Sequence, residues 1–453
     1  MAVETKASVK DANEFDVCVI GLGYVGLTLA AALADIGMKV LGIERRQDVV
    51  DLTNEGKAHF FERGLDAVLA EAVRSKQFQA SQSLDAAHRA RIWVLTVGTP
   101  LDSDGKFQTA LISNATSEIA DNLEDGNLVI LRSTVAIGTT RDVVKSILNE
   151  TGKDIHIGMC PERTLEGRAM QELRHLPQIV GTETAEAARI ASEFFMQMTH
   201  TVVRVSSFEA AEIVKLVDNT YRDVQFGFAN EVARICDAFG VNAMEVIGGG
   251  KLGYPRTNVA LPGLVGGPCL EKDPHILAQS MANSGLQLDI TTSARRVNER
   301  QPKETVEFVA KKLAERADER QGKPVIALLG LAFKGIPATD DLRGSMGLWV
   351  LKELEKQIPE FELRLFDPVC DAETLSSLHD TATVSASVSD AVRGADCAII
   401  ANNHPEFSKL PPVKLTQLMS DAGFVYDYWN HFSDYRRYEV GSHYYAVGNT
   451  GGI

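Results

Sequence analysis

A short glycine-rich turn near the start of the chain constrains its fold more than any other feature. The turn, residues 21–26 (GLGYVG), lies between the apolar run 15–20 and the alanine- and leucine-rich run 27–36. This order predicts a buried strand, a tight turn and a helix, and residues 39–43 supply the next strand. A strand–helix–strand unit with G-x-G-x-x-G at its first turn is typical of a doubly wound domain that binds a dinucleotide. The alternative is a glycine turn of the same fold that binds no nucleotide.

The residues of this turn have separate roles in such a domain. Gly21 permits the tight turn, Gly23 lets a pyrophosphate approach the backbone, and Gly26 lets the helix pack close to the sheet. Tyr24 and Val25 occupy the variable positions beside the free N–H groups of the helix N-terminus, which attract phosphate.

The end of the second strand predicts which cofactor binds. Glu44 stands there, where a carboxylate accepts a hydrogen bond from a ribose 2′-hydroxyl and repels a 2′-phosphate. The sequence therefore favours NAD over NADP, although the adjacent Arg45 and Arg46 leave that choice open.

The remaining pattern divides the chain into two α/β regions separated by helices. Strand-like runs in the first region, to about residue 205, occur at residues 92–97, 128–131, 155–159 and 178–180 and predict a parallel sheet. Residues 208–240 carry apolar side chains at steps of three or four without proline, which predicts one long helix. Strand-like runs resume at residues 323–329, 362–366, 397–401 and 424–426.

We therefore predict an α/β protein with two Rossmann-like doubly wound domains joined by a central helical domain with a long helix. The predicted segments are a flexible N-terminus (1–14), an NAD-binding domain (15–205), a central helical dimerisation domain (206–315) and a C-terminal Rossmann-like domain (316–453).

Composition excludes several classes of protein. The 453 residues include 46 Lys and Arg against 61 Asp and Glu, a net charge of −15, so we expect no nucleic-acid partner. The polar residues 1–14 lack the apolar core of a signal peptide, and no run reaches the roughly 18 apolar residues of a membrane helix. The six cysteines are scattered without a C-x-x-C pair, which argues against a zinc site or disulfide framework. We expect a cytoplasmic protein with no metal and no membrane partner.

Cys269, within the sequence GGPCLEKD, is the strongest candidate for covalent chemistry. It lies in a glycine-rich loop four residues before Asp273, and the neighbouring Lys272 would favour its thiolate. The alternative is a thiol packed as a small apolar side chain. Lys215 and Asn219 lie four residues apart on the long helix and so share a face, although a helical lysine is more often solvated.

Four further polar residues follow strands at the carboxyl edge of the predicted sheet, where α/β domains bind ligands. Glu162 and Glu166 form a pair of carboxylates that could do acid–base work, although a surface pair is the default interpretation. Thr99 and Thr134, each taken alone, are more simply explained as turn residues.

Together these motifs resemble the UDP-sugar 6-dehydrogenases, which include UDP-glucose dehydrogenase and the UDP-N-acetylhexosamine dehydrogenases. The resemblance covers nearly all of residues 15–430. The segments that carry it are residues 21–26 (GLGYVG), 97–100 (VGTP), 133–138 (STVAIG), 161–166 (PERTLE), 212–219 (EIVKLVDN), 228–231 (FANE), 266–273 (GGPCLEKD) and 330–343 (GLAFKGIPATDDLR).

This resemblance implies an NAD-binding domain, a central domain that forms a homodimer and a C-terminal domain that holds UDP. It also implies a four-electron oxidation of the C6 alcohol of a UDP-sugar to a carboxylate with two NAD, for surface polysaccharide. A thiohemiacetal on the enzyme would hold the aldehyde between the two oxidations.

The resemblance assigns roles by position. Cys269 matches the nucleophile, and Lys215 matches the lysine that stabilises developing oxyanions. Asn219 and Asp273 match residues that hold water and the C6 oxygen, and Thr134 matches the threonine that positions the catalytic water.

Further positions are implied in the same way. Glu162 matches the glutamate that activates water for thioester hydrolysis, with Glu166 as the second candidate. The implied cofactor-binding positions are Gly21, Gly23, Tyr24, Val25, Gly26, Glu44, Arg45, Thr99 and Thr134. The implied substrate-binding positions are Arg222, Arg256, Lys334 and Arg343.

Departures from the family pattern bear on the substrate. Pro268 precedes the cysteine, where UDP-glucose dehydrogenases usually read GGSC and the N-acetylhexosamine branch often reads GGHC. Residues 219–223, 228–231 and 264–267 look closer to the N-acetylhexosamine branch, so we favour UDP-N-acetylmannosamine or UDP-N-acetylglucosamine, with UDP-glucose as the alternative. A two-electron hydroxyacid dehydrogenase and a non-catalytic nucleotide-sugar sensor are less consistent with the sequence, because neither needs a nucleophilic cysteine.

Overall fold

The computed structural model of the protein describes residues 14–85, 89–282, 284–319, 322–433 and 440–451. The predicted flexible N-terminus therefore lies outside the described residues, apart from residue 14. The chain divides into two compact units, Met1–Val217 and Asp218–Ile453. The predicted domain boundaries at residues 205 and 315 stay predictions.

The first unit is an α/β domain built on an eight-stranded sheet. Its strands are β1 (Glu14–Ile20), β2 (Val40–Ile43), β3 (Phe78–Ser81), β4 (Arg89–Leu95), β5 (Leu128–Leu131), β6 (His156–Met159), β7 (Gln178–Gly181) and β8 (Val202–Val205). Its helices are α1 (Tyr24–Asp35), α2 (Gln47–Asn54), α3 (Leu65–Arg74), α4 (Ala110–Ala120), α5 (Ser146–Glu150), α6 (Ala169–His175), α7 (Ala185–Met196) and the start of α8 (Phe208–Phe239).

The strand order of this sheet is β3-β2-β1-β4-β5-β6-β7-β8, and its first six strands follow the Rossmann order 3-2-1-4-5-6. All pairings are parallel except that of β6 with β7, which is antiparallel and joins Met159 to Gly181. The prediction of a parallel sheet up to residue 205 is therefore wrong at this pairing. The sequence could not show this, because a short apolar run carries no information about strand direction.

Both faces of the first sheet are covered. Val17 and Val19 of β1 pack in one core with α1, whereas Cys18 and Ile20 enter a second core on the opposite face with Trp93. This explains why β1 is a continuous apolar run rather than an alternating one.

The second unit combines helices with a six-stranded sheet. Its helices are the remainder of α8, α9 (Ala243–Lys251), α10 (Gly267–Leu270), α11 (Asp273–Ser280), α12 (Asp289–Glu299), α13 (Gln301–Glu315), α14 (Met346–Gln357), α15 (Ala372–Ser376), α16 (Val388–Val392) and α17 (Pro412–Leu418). Its strands are β9 (Val325–Leu329), β10 (Glu362–Phe366), β11 (Thr383–Val384), β12 (Cys397–Ile400), β13 (Phe424–Asp427) and β14 (Tyr444–Ala446).

This second sheet is parallel throughout, in the order β11-β10-β9-β12-β13-β14. It repeats the 3-2-1-4-5-6 order of the first sheet, so two doubly wound domains are present, as predicted. The long helix is also confirmed, because α8 runs unbroken for 32 residues. Among the described helices, none combines the length and apolar character needed to cross a membrane.

Candidate active site

The glycine turn joins β1 to α1 with a geometry that fits a dinucleotide. Gly21 has a φ of +91°, which glycine adopts readily. A Cβ on Gly26 would lie 1.8 Å from the Gly21 carbonyl oxygen, whereas a Cβ on Gly23 would meet no atom within 4 Å. The backbone at the start of α1 therefore faces open space, as a pyrophosphate site requires. Tyr24 and Val25 open α1 and are half-buried.

Glu44 lies just after β2, and the backbone holds its carboxylate in place. Its Oε2 accepts from the Leu22 N–H at 3.0 Å, and its Oε1 accepts from the Arg46 N–H at 3.1 Å. Arg45 is exposed and pairs with Glu118 at 3.3 Å. A ligand at the end of β2 would therefore meet a fixed negative charge, which disfavours a 2′-phosphate.

Thr99 and Thr134 follow β4 and β5, which are neighbours in the sheet. Thr99 is buried and Thr134 is half-buried. The two loops are joined by Ser133, whose hydroxyl donates to the Val97 carbonyl at 2.7 Å. Both threonines thus lie at the carboxyl edge beside the glycine turn.

Glu212 of α8 supports the loop that carries Thr134. Its Oε2 accepts from the Gly138 N–H at 2.6 Å, and its Oε1 accepts from the N–H and hydroxyl of Thr140 at 2.8 and 2.7 Å. Burial raises the pKa of Glu212 despite these hydrogen bonds. Sequence reasoning gave it no role, although it lies one helical turn before Lys215 and shares its face.

Glu162 is buried and fully engaged by hydrogen bonds. Its Oε2 accepts from Nε and Nη2 of Arg132 at 3.0 and 2.5 Å, and its Oε1 accepts from the N–H groups of Arg163 and Thr164 at 2.7 and 2.8 Å. Burial tends to raise its pKa, but Arg132, these backbone hydrogen bonds and Lys215 outweigh burial and lower it. Arg132 and the two backbone N–H groups therefore fix the orientation of this carboxylate in the loop after β6.

Lys215 is only 8% exposed on α8, so it is not the solvated helical lysine that spacing alone would favour. Its charge acts on Glu162, so the first unit brings these two predicted residues together. Glu166 lies in the same loop as Glu162 and is half-buried, which leaves it as the other candidate base.

Cys269, Asp273 and Asn219 lie in the second unit. Cys269 is in α10 and is half-buried, whereas the other five cysteines are buried. Asp273 opens α11 and is fully buried. Its carboxylate accepts from Asn219 Nδ2 at 2.6 Å and from Lys272 Nζ at 2.8 Å. The second unit therefore joins two of the predicted residues, Asn219 and Asp273, directly. Cys269 lies four residues before Asp273, whereas the neighbouring Lys272 pairs with the aspartate.

A buried arginine fixes the backbone around the cysteine. Arg295 donates to the Asp223 carboxylate at 2.7 Å and to the Leu270 and Val265 carbonyls at 2.7 and 3.0 Å. Burial raises the pKa of Asp223, and Arg295 opposes that shift. The segment on both sides of Cys269 is thus tied to α8 and α12 by one guanidinium, which sequence reasoning did not single out.

Two of the predicted substrate-binding cations lie in the helical part of the second unit. Arg222 is exposed on α8. Arg256 is also exposed, and its guanidinium lies 4.6 Å from the Tyr254 ring centroid and donates to the Tyr254 hydroxyl at 3.1 Å. An exposed guanidinium held against a ring is suited to recognising an anionic ligand.

The other two cations lie in the loop after β9. Lys334 Nζ is 5.0 Å from the Phe333 ring centroid. Arg343 is exposed and pairs with Asp341 at 2.6 Å. Because β9 and β12 flank the point where the strand order reverses, this loop lies where open α/β sheets bind ligands.

Asn403, in the loop after β12, holds the β9 loop at this position. Its Oδ1 accepts from the N–H groups of Gly335 and Ile336 at 2.7 and 3.1 Å. A Cβ on Gly335 would lie 2.1 Å from the His404 nitrogen, so the close approach requires glycine. Sequence reasoning missed Asn403, because nothing near it in the chain points to this contact.

Comparisons with known proteins identify the family. The chain matches three domains of the UDP-glucose/GDP-mannose dehydrogenase family in order: the NAD binding domain at residues 15–199, the central domain at 209–300 and the UDP binding domain at 327–434. These matches confirm the predicted NAD cofactor, which the glycine turn fits, and a UDP-sugar substrate.

Individual relatives agree with this result. The chain is 33% identical over 419 residues to a UDP-N-acetyl-D-mannosamine dehydrogenase of Campylobacter jejuni, covering 89% of this chain and 99% of the relative. It is also similar to the solved UDP-D-ManNAc dehydrogenase of Pyrococcus horikoshii, with a TM-score of 0.84 and 30% identity over 96% of this chain and 99% of the other. A solved UDP-glucose dehydrogenase of Pyrobaculum islandicum gives a TM-score of 0.81 and 25% identity over 94% and 96%.

The fold class and the family resemblance predicted from the sequence are both confirmed. The chain belongs to the UDP-glucose/GDP-mannose dehydrogenase family, whose members are NAD-dependent nucleotide-sugar dehydrogenases.

Proposed function

We propose that this protein oxidises the C6 alcohol of a UDP-N-acetylhexosamine, with UDP-N-acetylmannosamine as the first candidate, to the uronic acid. The observation that carries the proposal is Cys269, which is the one cysteine of six that is not buried. It lies four residues before Asp273, whose carboxylate is held by Asn219. A partly exposed thiol is suited to covalent catalysis.

The choice of sugar rests on sequence similarity. The Campylobacter jejuni relative and the Pyrococcus horikoshii structure both carry the N-acetylmannosamine name, and the segments around residues 219–231 look closer to that branch. UDP-glucose is the alternative, because the Pyrobaculum islandicum structure is a UDP-glucose dehydrogenase of nearly equal structural similarity.

The proposed chemistry removes four electrons and consumes one water. The C6 alcohol loses a proton and a hydride to give an aldehyde. The Cys269 thiolate adds to that carbon, and the oxygen takes up a proton, to form a thiohemiacetal. Loss of a second hydride and a proton leaves a thioester. Water then breaks the carbon–sulfur bond, which releases the carboxylate and two protons and restores the thiolate. Bound NAD supplies the hydride acceptor for both oxidations.

Individual side chains of this protein would assist separate steps of the reaction. Lys215 stabilises the negative charge that develops on the C6 oxygen. Asp273, held by Asn219, orients the C6 oxygen and water, and Thr134 positions the attacking water. Glu162 is the first candidate for activating that water, because Arg132 and the backbone fix its carboxylate in place, and Glu166 in the same loop is the second.

A homodimer is part of the proposal. Tyr221, Phe228, Ile235 and Phe239 recur at intervals of seven and four along α8, and each is more than half exposed in the single chain. Such an apolar stripe on a helix is suited to packing against another copy. Phe228→Glu should therefore give a monomer in analytical ultracentrifugation, whereas Met196→Glu, at an equally exposed position on α7, should leave the dimer intact.

The proposed product is a uronic acid sugar nucleotide for surface polysaccharide, made in the cytoplasm. The six cysteines are all free thiols, which supports a reducing compartment.

A screen of UDP-sugars tests the proposed activity. NADH release is measured together with sugar consumption for UDP-N-acetylmannosamine, UDP-N-acetylglucosamine and UDP-glucose. We expect two NADH for each UDP-N-acetylmannosamine consumed. One NADH with release of free aldehyde would contradict the covalent chemistry, and faster turnover of UDP-glucose would establish the alternative substrate.

A further inference from the structure

A buried carboxylate of α8 caps a helix that belongs to another segment. Residues Thr140–Lys145 form a π-helix that runs directly into α5, and π-helical turns of this kind are frequent at functional sites. The first backbone donors of this helix bind Glu212, which is 1% exposed. The N–H groups of Gly138 and Thr140 donate to its carboxylate at 2.6 and 2.8 Å. The start of the π-helix is therefore fixed by α8.

The π-helix has a cap residue of its own that does not perform this function. Thr139 stands at the N-cap position, where a threonine commonly accepts from the first N–H groups of a helix. Its hydroxyl instead donates to the Ala136 carbonyl at 2.7 Å, and it accepts no cap hydrogen bond from the described residues. Glu212 is a costly substitute, because burial opposes ionisation and raises its pKa. Helix capping alone therefore does not explain this carboxylate.

The loop that carries Thr134 is anchored at both ends. At its start, the Ser133 hydroxyl donates to the Val97 carbonyl at 2.7 Å. At its end, Gly138 adopts a φ of +95°, which suits glycine, and donates its N–H to Glu212. The position of Thr134 is therefore set from one side by the loop after β4 and from the other side by α8.

Glu212 also has a fixed place relative to Lys215. The two residues are three apart on α8 and so share a face of the helix, and both are buried. A side chain that holds the Thr134 loop and belongs to the same helical turn as Lys215 fixes the separation of these two groups. All of these residues belong to the first unit.

We infer that Glu212 is a positioning residue for thioester hydrolysis, which holds Thr134 at the distance from Lys215 at which water is placed for attack. It acts through Thr134 rather than on the reacting atoms. This inference rests on the proposed function, in which Thr134 positions the water and Lys215 stabilises the charge on the C6 oxygen.

Glu212→Ala tests the inference, because it removes the anchor at Gly138 and Thr140. Its effect is measured in single turnovers at saturating NAD by NADH release, acid release and mass spectrometry of the quenched enzyme. We expect acid release to slow by roughly tenfold to a hundredfold, as for loss of hydrogen bonds to a charged group. Hydride transfer does not involve the water, so both NADH phases should change by less than about threefold and a thioester should accumulate on Cys269.

Glu212→Gln is the conservative variant, and it keeps the test decisive if Glu212→Ala does not fold. Its amide oxygen can accept from Gly138 or Thr140, whereas its NH2 group can accept from neither, so acid release should slow by only about threefold to tenfold. Asp125→Ala is the matched control, because that carboxylate accepts from the Asp154 N–H at 2.7 Å. This contact joins the loops before β5 and β6, at the opposite edge of the sheet, so Asp125→Ala should leave all phases unchanged.

A double variant tests the route through Thr134. If Glu212 acts by placing Thr134, then Glu212→Ala should slow acid release by less than about twofold further in a Thr134→Ala background. An additive effect overturns the inference. Equal slowing of NADH release and acid release by the Glu212 variants also overturns it, as do rates equal to those of Asp125→Ala.

Glu162→Gln separates failure of the inference from failure of the proposed function. If Glu162→Gln accumulates a thioester and the Glu212 variants do not, the positioning role is wrong while the proposed function stands. If none of these variants carries a cysteine adduct, the covalent function is wrong and the inference is overturned with it.

Discussion

Alanine at Gly23 should abolish tight NAD binding while leaving the fold intact. Gly23 has φ −65° and ψ −169°, which alanine adopts without strain, and the new methyl group would meet no protein atom within 4 Å. Because alanine leaves the unfolded chain fewer conformations than glycine does, the substitution stabilises the folded variant by about 0.4–1 kcal/mol. Alanine is also a poorer N-cap by roughly the same amount, so the free energy of unfolding should be nearly unchanged.

The effect on NAD follows from where the methyl group points. It enters the space beside the first N–H groups of α1, where the pyrophosphate would approach. Losing one hydrogen bond to a charged group costs about 1.5–3 kcal/mol, which raises the Kd for NAD by roughly 10- to 150-fold.

Gly26→Ala provides the contrasting case. Its Cβ would lie 1.8 Å from the Gly21 carbonyl oxygen and 2.6 Å from Thr96 Oγ1, so α1 must move away from β1. Overpacking of this kind costs about 1–3 kcal/mol or more, and this variant should lose both stability and NAD binding.

Isothermal titration with NAD and urea unfolding measure the two effects separately. Gly249→Ala is the control for a glycine-to-alanine change, because that exposed residue of α9 also has open space around its Cα. A folded Gly23→Ala protein that binds NAD as tightly as wild type would refute the assignment of the pyrophosphate to this turn.

Three further predictions concern cysteine reactivity, a buried ion pair and pH. Iodoacetamide should alkylate Cys269 before the five buried cysteines and stop acid formation. Peptide mass spectrometry identifies the labelled thiol, and full activity after labelling would contradict the covalent chemistry. Arg295→Met should lower the free energy of unfolding by about 3–5 kcal/mol, because it leaves the Asp223 charge buried without its cationic partner. Urea unfolding measures this change, and a loss below about 1 kcal/mol would show that the ion pair contributes little. The Arg141 hydrogen bond lowers the pKa of Glu209 from 4.5 to about 2, so the stability that this pair contributes is complete above pH 4.5 and is lost as the pH falls towards 2. Unfolding curves at several pH values should show a weaker acid dependence for Glu209→Gln, and unchanged dependence would contradict the assignment.

The sequence predicted the strands inside the two sheets and missed the four described strands at the sheet edges. The bounds predicted for β5 and β10 are the observed ones, because these strands carry bulky apolar runs. β3, β8, β11 and β14 lie at the sheet edges. These strands contain polar residues between the apolar ones or are too short to show a pattern, so they form no apolar run that predicts a strand.

Candidate residues were found where the chemistry is local in the sequence. The glycine turn and the cysteine loop each lie within eight consecutive residues, and their residue types alone point to phosphate binding and to a nucleophile. The burial of Lys215 was not predictable in this way, because its helical spacing is equally consistent with a solvated face.

The sequence by itself predicted the interior strands, the long helix, the nucleotide fold and NAD as the favoured cofactor, because backbone geometry and side-chain periodicity act over a few neighbouring residues. Only the tertiary structure decided which charges support the candidate site. Arg295 and Asp223 are 72 residues apart in the chain, and Tyr24 and Gly167 are 143 apart. Such contacts form only once distant segments pack together, since a hydrogen bond depends on distance in space and leaves no local pattern in the sequence.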